Sequence, residues 1–259
     1  MTTERIQPVQ AKELERIQLK SWLSAHGIKA VLFDLDDTLL ETSAQERNIE
    51  NSYVSYVAER VPSVNTEEML ASIRKFGAEA FVSHSVSQER WHAVVAHMAE
   101  KYGQAMTPVL YDAKKIIFNI YKTAPNLLPS AIETLDAFRA SVPKMGVVTH
   151  AGVEWTNVKL DTHDLRKYFD SVTIADAFGN KGPEHWQEAM KALDVRPEEV
   201  LVIGDNLKGD ILAAQSLGVK YAVLLPSPWA VYREGTVAQG TLRAERIADV
   251  IRTILSDRA

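Results

Sequence analysis

Five short runs in the chain, Ala30 to Phe33, Lys144 to Thr149, Ser171 to Ala175, Val200 to Gly204 and Lys220 to Leu225, are mostly apolar and rich in β-branched residues. A strand with one wet face alternates polar with apolar residues. Near-continuous apolar runs instead suit strands buried on both faces, as in a parallel sheet with helices above and below. Helical segments separate most of them: Ala131 to Ala140 precedes the second run, Glu154 to Asp164 follows it, and Glu184 to Leu193 and Asp210 to Leu217 flank the fourth. This alternation predicts an α/β fold with a doubly wound parallel sheet. Ligands of such sheets sit beyond the carboxyl ends of the strands, where Asp34, Thr149 and Asp205 all fall.

The gap of about a hundred residues between the first and second runs holds no strand pattern and is too long for a simple loop. It reads as helices. Ser43 with Glu46 forms a capping-box pattern ahead of the stripe Ile49, Tyr53, Tyr56 and Val57, and Asn65 with Glu68 forms another. Thr107-Pro108 suits a helix start before Ile116, Ile117 and Ile120, and Trp91, Val94, Val95 and Met98 supply one more apolar face. The expected organisation is a helical N-terminal extension over 1–28, a core of 29–42 and 126–259, and a separate all-helical insert over 43–125. On the extension, Leu14, Ile17 and Trp22 are the residues expected to pack, either on the core or on a second copy in a homo-oligomer.

Composition narrows the function classes. Lys plus Arg number 29 against 34 Asp plus Glu, a formal charge of -5, which gives no reason to expect nucleic acid as a partner. There is no cysteine, so disulfides, thiolate metal sites and a Cys nucleophile are all excluded. Residues Met1 to Lys20 are polar and lack an apolar run of signal-peptide or membrane-spanning length, so the expectation is a cytoplasmic protein with no membrane partner.

The first run ends in three carboxylates, Asp34-Leu35-Asp36-Asp37. Crowded acids repel, and burying them is costly unless a cation or proton compensates. Two acids at i and i+2 around a turn can serve as a nucleophile and a proton carrier. A calcium loop would need Gly at its sixth position and Glu at its twelfth, where Leu39 and Gln45 stand. Thr149, followed by His150, Ala151 and Gly152, offers a hydroxyl and small residues at another strand end. Asp205 and Asp210 lie beside Gly204 in the spacing of a hard-cation site, and Lys181 precedes a helix that opens with Pro183.

As an ordered set, Asp34-x-Asp36-x-Thr38, Thr149, Lys181 and Gly204-Asp205-x4-Asp210, the sequence closely resembles the haloacid dehalogenase superfamily, in its phosphatase-type form with a helical cap between the first two motifs. The resemblance spans the chain from about Lys29 to the last strand and implies a Rossmann-like core. It implies that Asp34 is the nucleophile and Asp36 the general acid and base. Thr149 and Lys181 would bind the transferring phosphoryl group. Magnesium would be held by Asp34, Asp205 and the main-chain carbonyl of Asp36, with Asp210 in support. The implied reaction is magnesium-dependent hydrolysis of a small-molecule phosphate monoester through an aspartyl phosphate.

Asp36 and the pair Asp205 and Asp210 argue against a metal-free dehalogenase. A sugar phosphomutase shares the same residues, a phosphonatase would need a cap lysine with Schiff-base chemistry, and a non-catalytic binding protein could keep the fold. Besides His150, Arg47 and Asn48 at the start of the first cap helix are the polar residues expected to reach a bound substrate.

Overall fold

The computed structural model describes residues 8 to 257; the first seven residues of the expected N-terminal extension lie outside them. Six parallel strands form one sheet in the order β3-β2-β1-β4-β5-β6. They are β1 (Ala30–Phe33), β2 (Lys144–His150), β3 (Ser171–Ala175), β4 (Val200–Gly204), β5 (Tyr221–Leu224) and β6 (Thr241–Arg243). The short edge strand β6 is the one element of the sheet that the sequence pattern does not announce. Its three residues are too few for a period, and its central Leu242 is only half-buried.

Strand β1 shows why the runs are apolar throughout. Val31 and Phe33 point into one core with Phe138, Val147, Ile203 and Val223, whereas Ala30 and Leu32 point into a second with Val148, Trp186 and Val202. Successive side chains of a strand face opposite ways, so a strand covered on both sides needs apolar residues at every position. The covering helices are α1 (Pro8–Ala25), α6 (Ala131–Arg139) and α10 (Val250–Ser256), which join the first core, and α8 (Pro183–Ala192), which joins the second. Helix α7 (Val153–Thr162) follows β2, and a π-helical turn (Leu207–Leu212) running into α9 (Ala213–Ser216) follows β4.

The insert between β1 and α6 consists of helices α2 (Thr42–Arg60), α3 (Thr66–His84), α4 (Gln88–Tyr102) and α5 (Thr107–Phe118), ending in a short 3-10 turn (Asn119–Lys122). It has its own apolar cluster, built on Tyr53, Ile73, Trp91, Met98 and Ile117. The chain enters and leaves it side by side: Glu41 N–H donates to Asn126 O at 2.8 Å and Leu128 N–H to Leu39 O at 2.9 Å. No helix among the described residues is long and apolar enough to cross a membrane.

One local expectation is corrected. Ser43 with Glu46 does not cap the first insert helix, which already begins at Thr42. The Ser43 N–H donates to Asp37 Oδ1 at 2.9 Å and Glu46 turns inward to Arg90, because the adjoining acidic turn offers a better acceptor than the helix's own end. At Asn65 the side chain does accept from Glu68 N–H, at 3.1 Å. On α1, Leu19 and Leu23 make the packing face with half-buried Trp22, while Leu14 and Ile17 are exposed at 48% and 58%. The sheet's outer helices α6 and α10 select that stripe.

This face assignment predicts that Leu23→Ala lowers unfolding free energy by about 2–5 kcal/mol, whereas Ile17→Ala changes it by less than about 0.5 kcal/mol. Urea titrations of both variants measure the difference; equal losses would contradict the assignment.

Candidate active site

Parallel pairing sets the site. Phe33 lies level with Val147 on one side and Ile203 on the other, so Asp34, Thr149 and Asp205 emerge together from three adjacent strands. The turn after β1 is sharp: Asp37 adopts φ 56°, a left-handed conformation that Asp tolerates better than most residues. Lys181 arrives from the loop ahead of α8, and Asp210 from the turn after β4.

Asp34, Asp205 and Asp210 are all buried, and each offers a carboxylate oxygen within 4.8 Å of the other two. The Lys181 ammonium donates to Asp34 Oδ1 and to Val148 O at 3.2 Å, and stands 2.6 Å from Asp210 Oδ1. Asp210 reaches this position because residue 204 is glycine: a Cβ there would run into the Asp210 carboxylate. Asp210 Oδ2 also accepts from Asn206 N–H at 3.0 Å, and Ser227 Oγ donates to Asp205 Oδ2 at 2.5 Å. Asp34 Oδ2 is buried with no partner.

One ammonium thus serves a cluster of three carboxylates. Burial, followed by the opposing pull of Lys181 and the repulsion of Asp210 and Asp36, leaves Asp34 pushed up to about 7. Burial and the charges of Asp34 and Asp210 raise Asp205 as well. For Lys181, burial opposes the charge but Asp210 and Asp34 outweigh it, holding the ammonium above the usual lysine range. Three buried carboxylates served by a single ammonium carry a deficit of positive charge, and that is the donor set of a hard divalent cation. The residues present fit magnesium.

Asp36 is held separately. Lys159 Nζ, fully buried, donates to its two carboxylate oxygens at 2.6 and 2.7 Å, Thr42 Oγ1 donates to Oδ1, and Thr149 Oγ1 lies 3.4 Å from Oδ2. Burial pulls Lys159 below the usual lysine range, against the charge of Asp36, and its ammonium lies 3.4 Å from the centroid of the Trp155 ring. Asp37 Oδ2 accepts from Trp229 Nε1 at 2.8 Å. The His150 ring nitrogen Nε2 lies 3.3 Å from Ser85 Oγ of the insert, and burial, with Lys181 adding, brings the imidazole down to about 4.

The structure brings together Asp34, Asp36, Thr149, Lys181, Asp205 and Asp210, with His150 at their edge. It does not bring Arg47 or Asn48 to them. Both are exposed on α2, whose inward residues are Thr42, Glu46 and Glu50, because the helix turns its other face to the site. Lys159, Thr42, Ser227 and Trp229 were not read from the sequence. A signal for Lys159 existed: it lies four residues after Trp155 and one before Leu160, inside the buried stripe of α7. A lysine in such a stripe needs a buried acid.

A family model described as haloacid dehalogenase-like hydrolase matches residues 31–224. A glyceraldehyde 3-phosphate phosphatase of Pyrococcus furiosus is 27% identical, over 88% of this chain and 90% of that protein. A phosphoglycolate phosphatase of Vibrio parahaemolyticus is 27% identical, over 76% of this chain and 83% of that one. Among solved structures, a haloacid dehalogenase-like family hydrolase from Xanthomonas campestris superposes with a TM-score of 0.69 at 14% identity, covering 88% of this chain and 96% of that one. The chain belongs to the haloacid dehalogenase-like hydrolases and is a phosphatase-type member of them.

The cluster's charge deficit has a thermodynamic consequence. An unfolded Asp34 titrates near 3.8 and the folded one near 7, so between these values the folded state binds a proton that the unfolded state lacks. Stability in chelator therefore falls as pH rises from about 4 to about 7. Magnesium, by binding the ionised carboxylates, should flatten that fall. Thermal melts across this range with EDTA and with magnesium measure both; parallel profiles would contradict the cation assignment.

Proposed function

We propose that this hydrolase is a magnesium-dependent phosphatase that cleaves a small-molecule phosphate monoester through an aspartyl phosphate on Asp34. The observation that carries the reading is the free Asp34 Oδ2, a buried carboxylate oxygen with no partner whose twin is fixed by Lys181. It is an oriented nucleophile. Residues 43–125 form the cap over a core of 29–42 and 126–259, the substrate is a soluble metabolite and neither nucleic acid nor a membrane, and the compartment is the cytoplasm.

Asp34 Oδ2 attacks phosphorus, forming a P–O bond as the ester P–O bond breaks on the opposite side. The Lys181 ammonium and the Thr149 hydroxyl hold phosphoryl oxygens and balance the charge spread over them. Asp36, protonated when the monoester binds, gives that proton to the departing oxygen, and Lys159 and Thr42 hold its carboxyl group in place. Water then attacks the phosphoryl group, Asp36 takes its proton, and Asp34 is released. Magnesium, held by Asp34, Asp205 and the Asp36 main-chain carbonyl with Asp210 behind them, supplies when bound the positive field that lets an anionic nucleophile meet an anionic substrate.

Asp34→Asn should reduce phosphate release by at least about a thousandfold while the fold survives, because an amide of the same shape cannot attack. Asp36→Asn should lose about a hundredfold or more on alkyl phosphates and less on nitrophenyl phosphate, whose leaving group needs no proton. Phosphate-release assays of both variants in magnesium decide the matter. Wild-type turnover by Asp34→Asn would overturn the reading, and equal losses of Asp36→Asn on both substrates would remove its acid role.

A further inference from the structure

Above Asp36 and Asp37 opens a cavity of about 450 Å³, enclosed by the cap helices on one side and the core on the other. Asp34, Thr149 and Lys181 do not line it, so it begins where the phosphoryl site ends, on the side of the leaving group. Its size falls among ordinary ligand sites, far more than a three-carbon alcohol fills.

The walls are aromatic. Phe81 comes from α3, Tyr121 from the turn after α5, Trp155 from α7, and Trp229 and Tyr232 from the loop joining β5 to β6. Two cross-element pairs fix these rings: Phe81 and Tyr232 at 6.1 Å, and Tyr121 and Trp155 at 5.3 Å, both near perpendicular. Two further wall residues are apolar yet exposed, Val82 at 88% and Val231 at 41%, one from the cap and one from the core. Exposed aliphatic side chains flanking an aromatic cavity from both sides suit an apolar occupant.

Charge says what that occupant lacks. The two arginines of the lining are committed to acids, Arg90 to Glu46 at 2.8 Å and Arg74 to Glu50 at 3.2 Å. Asp36 and Glu234 of the same lining are paired likewise, with Lys159 at 2.6 Å and Lys208 at 3.4 Å, and Asp37 accepts only from neutral donors. A carboxylate or a second phosphate in the leaving group would find no uncommitted lysine or arginine in this lining among the described residues, and would face Asp37. A neutral ring would meet faces it can stack on.

We propose that the alcohol part of the substrate is a flat, uncharged aromatic body, seated in the cap cavity against Phe81, Trp229 and Tyr232. The inference rests on the phosphatase reading and assigns its substrate class. The β5–β6 loop then has two roles at once, since Ser227 and Trp229 also brace Asp205 and Asp37.

The test compares alkyl phosphates of similar leaving-group basicity, so that chemistry is held constant: 2-(1-naphthyl)ethyl phosphate, ethyl phosphate and phosphoglycolate. Wild-type kcat/KM should favour the naphthylethyl ester over ethyl phosphate by about tenfold or more, with phosphoglycolate the poorest of the three. Phe81→Ala, and Val82→Asp at the exposed rim where folding is not at stake, should each shrink the naphthylethyl-to-ethyl ratio at least about threefold. A wild-type ratio near one, a ratio unmoved by both variants, or a preference for phosphoglycolate overturns the proposal and leaves the phosphatase reading standing. If no monoester is turned over, the phosphatase reading falls and the cavity is judged by binding. Tryptophan quenching should then give naphthylethyl phosphate a Kd at least about tenfold below that of ethyl phosphate by competition, and equal Kd values would overturn the proposal.

Discussion

Lys181, bridging Asp34 and Asp210 with its ammonium under the end of β1, is the contact on which the site depends. Buried acids are tolerated only in company, and removing one partner from a buried ion pair typically costs about 3–5 kcal/mol because the remaining charge is stranded. Much of the local sequence serves to bring these three side chains together. Parallel pairing sets Asp34 beside Val148, whose carbonyl accepts from the same ammonium. Gly204 leaves the space that Asp210 occupies, and Trp186 of α8, fully buried, donates through Nε1 to Gly209 O at 2.7 Å and pins the turn that carries Asp210. The sheet, the glycine and the indole are all conditions of one ion-pair geometry.

A second buried lysine gives the site its division of labour. Lys181 fixes one oxygen of Asp34 and leaves the other free, whereas Lys159 engages both oxygens of Asp36. Two carboxylates only two residues apart thereby acquire distinct surroundings, and distinct surroundings are how neighbouring acids come to carry different roles. The helical insert supplies none of Asp34, Asp205 and Asp210, and it touches the acidic turn through the start of α2, where Ser43 N–H donates to Asp37 Oδ1. Elsewhere it meets the core around the cavity, through the Phe81–Tyr232 and Tyr121–Trp155 ring pairs, the Ser85 contact to His150 and the paired crossings at Glu41 and Leu128.

What the sequence discloses follows from the range of the interactions. The strands, the helical insert and Asp34, Thr149 and Asp205 are legible because a strand end is a local pattern and the sheet alone gathers those ends, whereas Lys181 comes from the loop ahead of α8 and is legible only through the ordered set of motifs. Contacts made by tertiary packing are not. Lys159 meets Asp36 across 123 positions and Trp229 meets Asp37 across 192, so no local period announces either. Arg47 and Asn48 were expected at the substrate because they are polar and follow the catalytic turn, but the rotation of α2 about its axis gives that place to Glu46 and Glu50. A helix's position is written in its own residues; the face it turns inward is decided by what packs against it.

The central claim is that Asp34 itself becomes phosphorylated during turnover. Enzyme quenched in acid while hydrolysing a monoester, then reduced with borohydride and digested, should show Asp34 converted to homoserine and no other carboxylate changed. Asp34 unmodified under steady turnover, or the modification on another residue, would contradict the account.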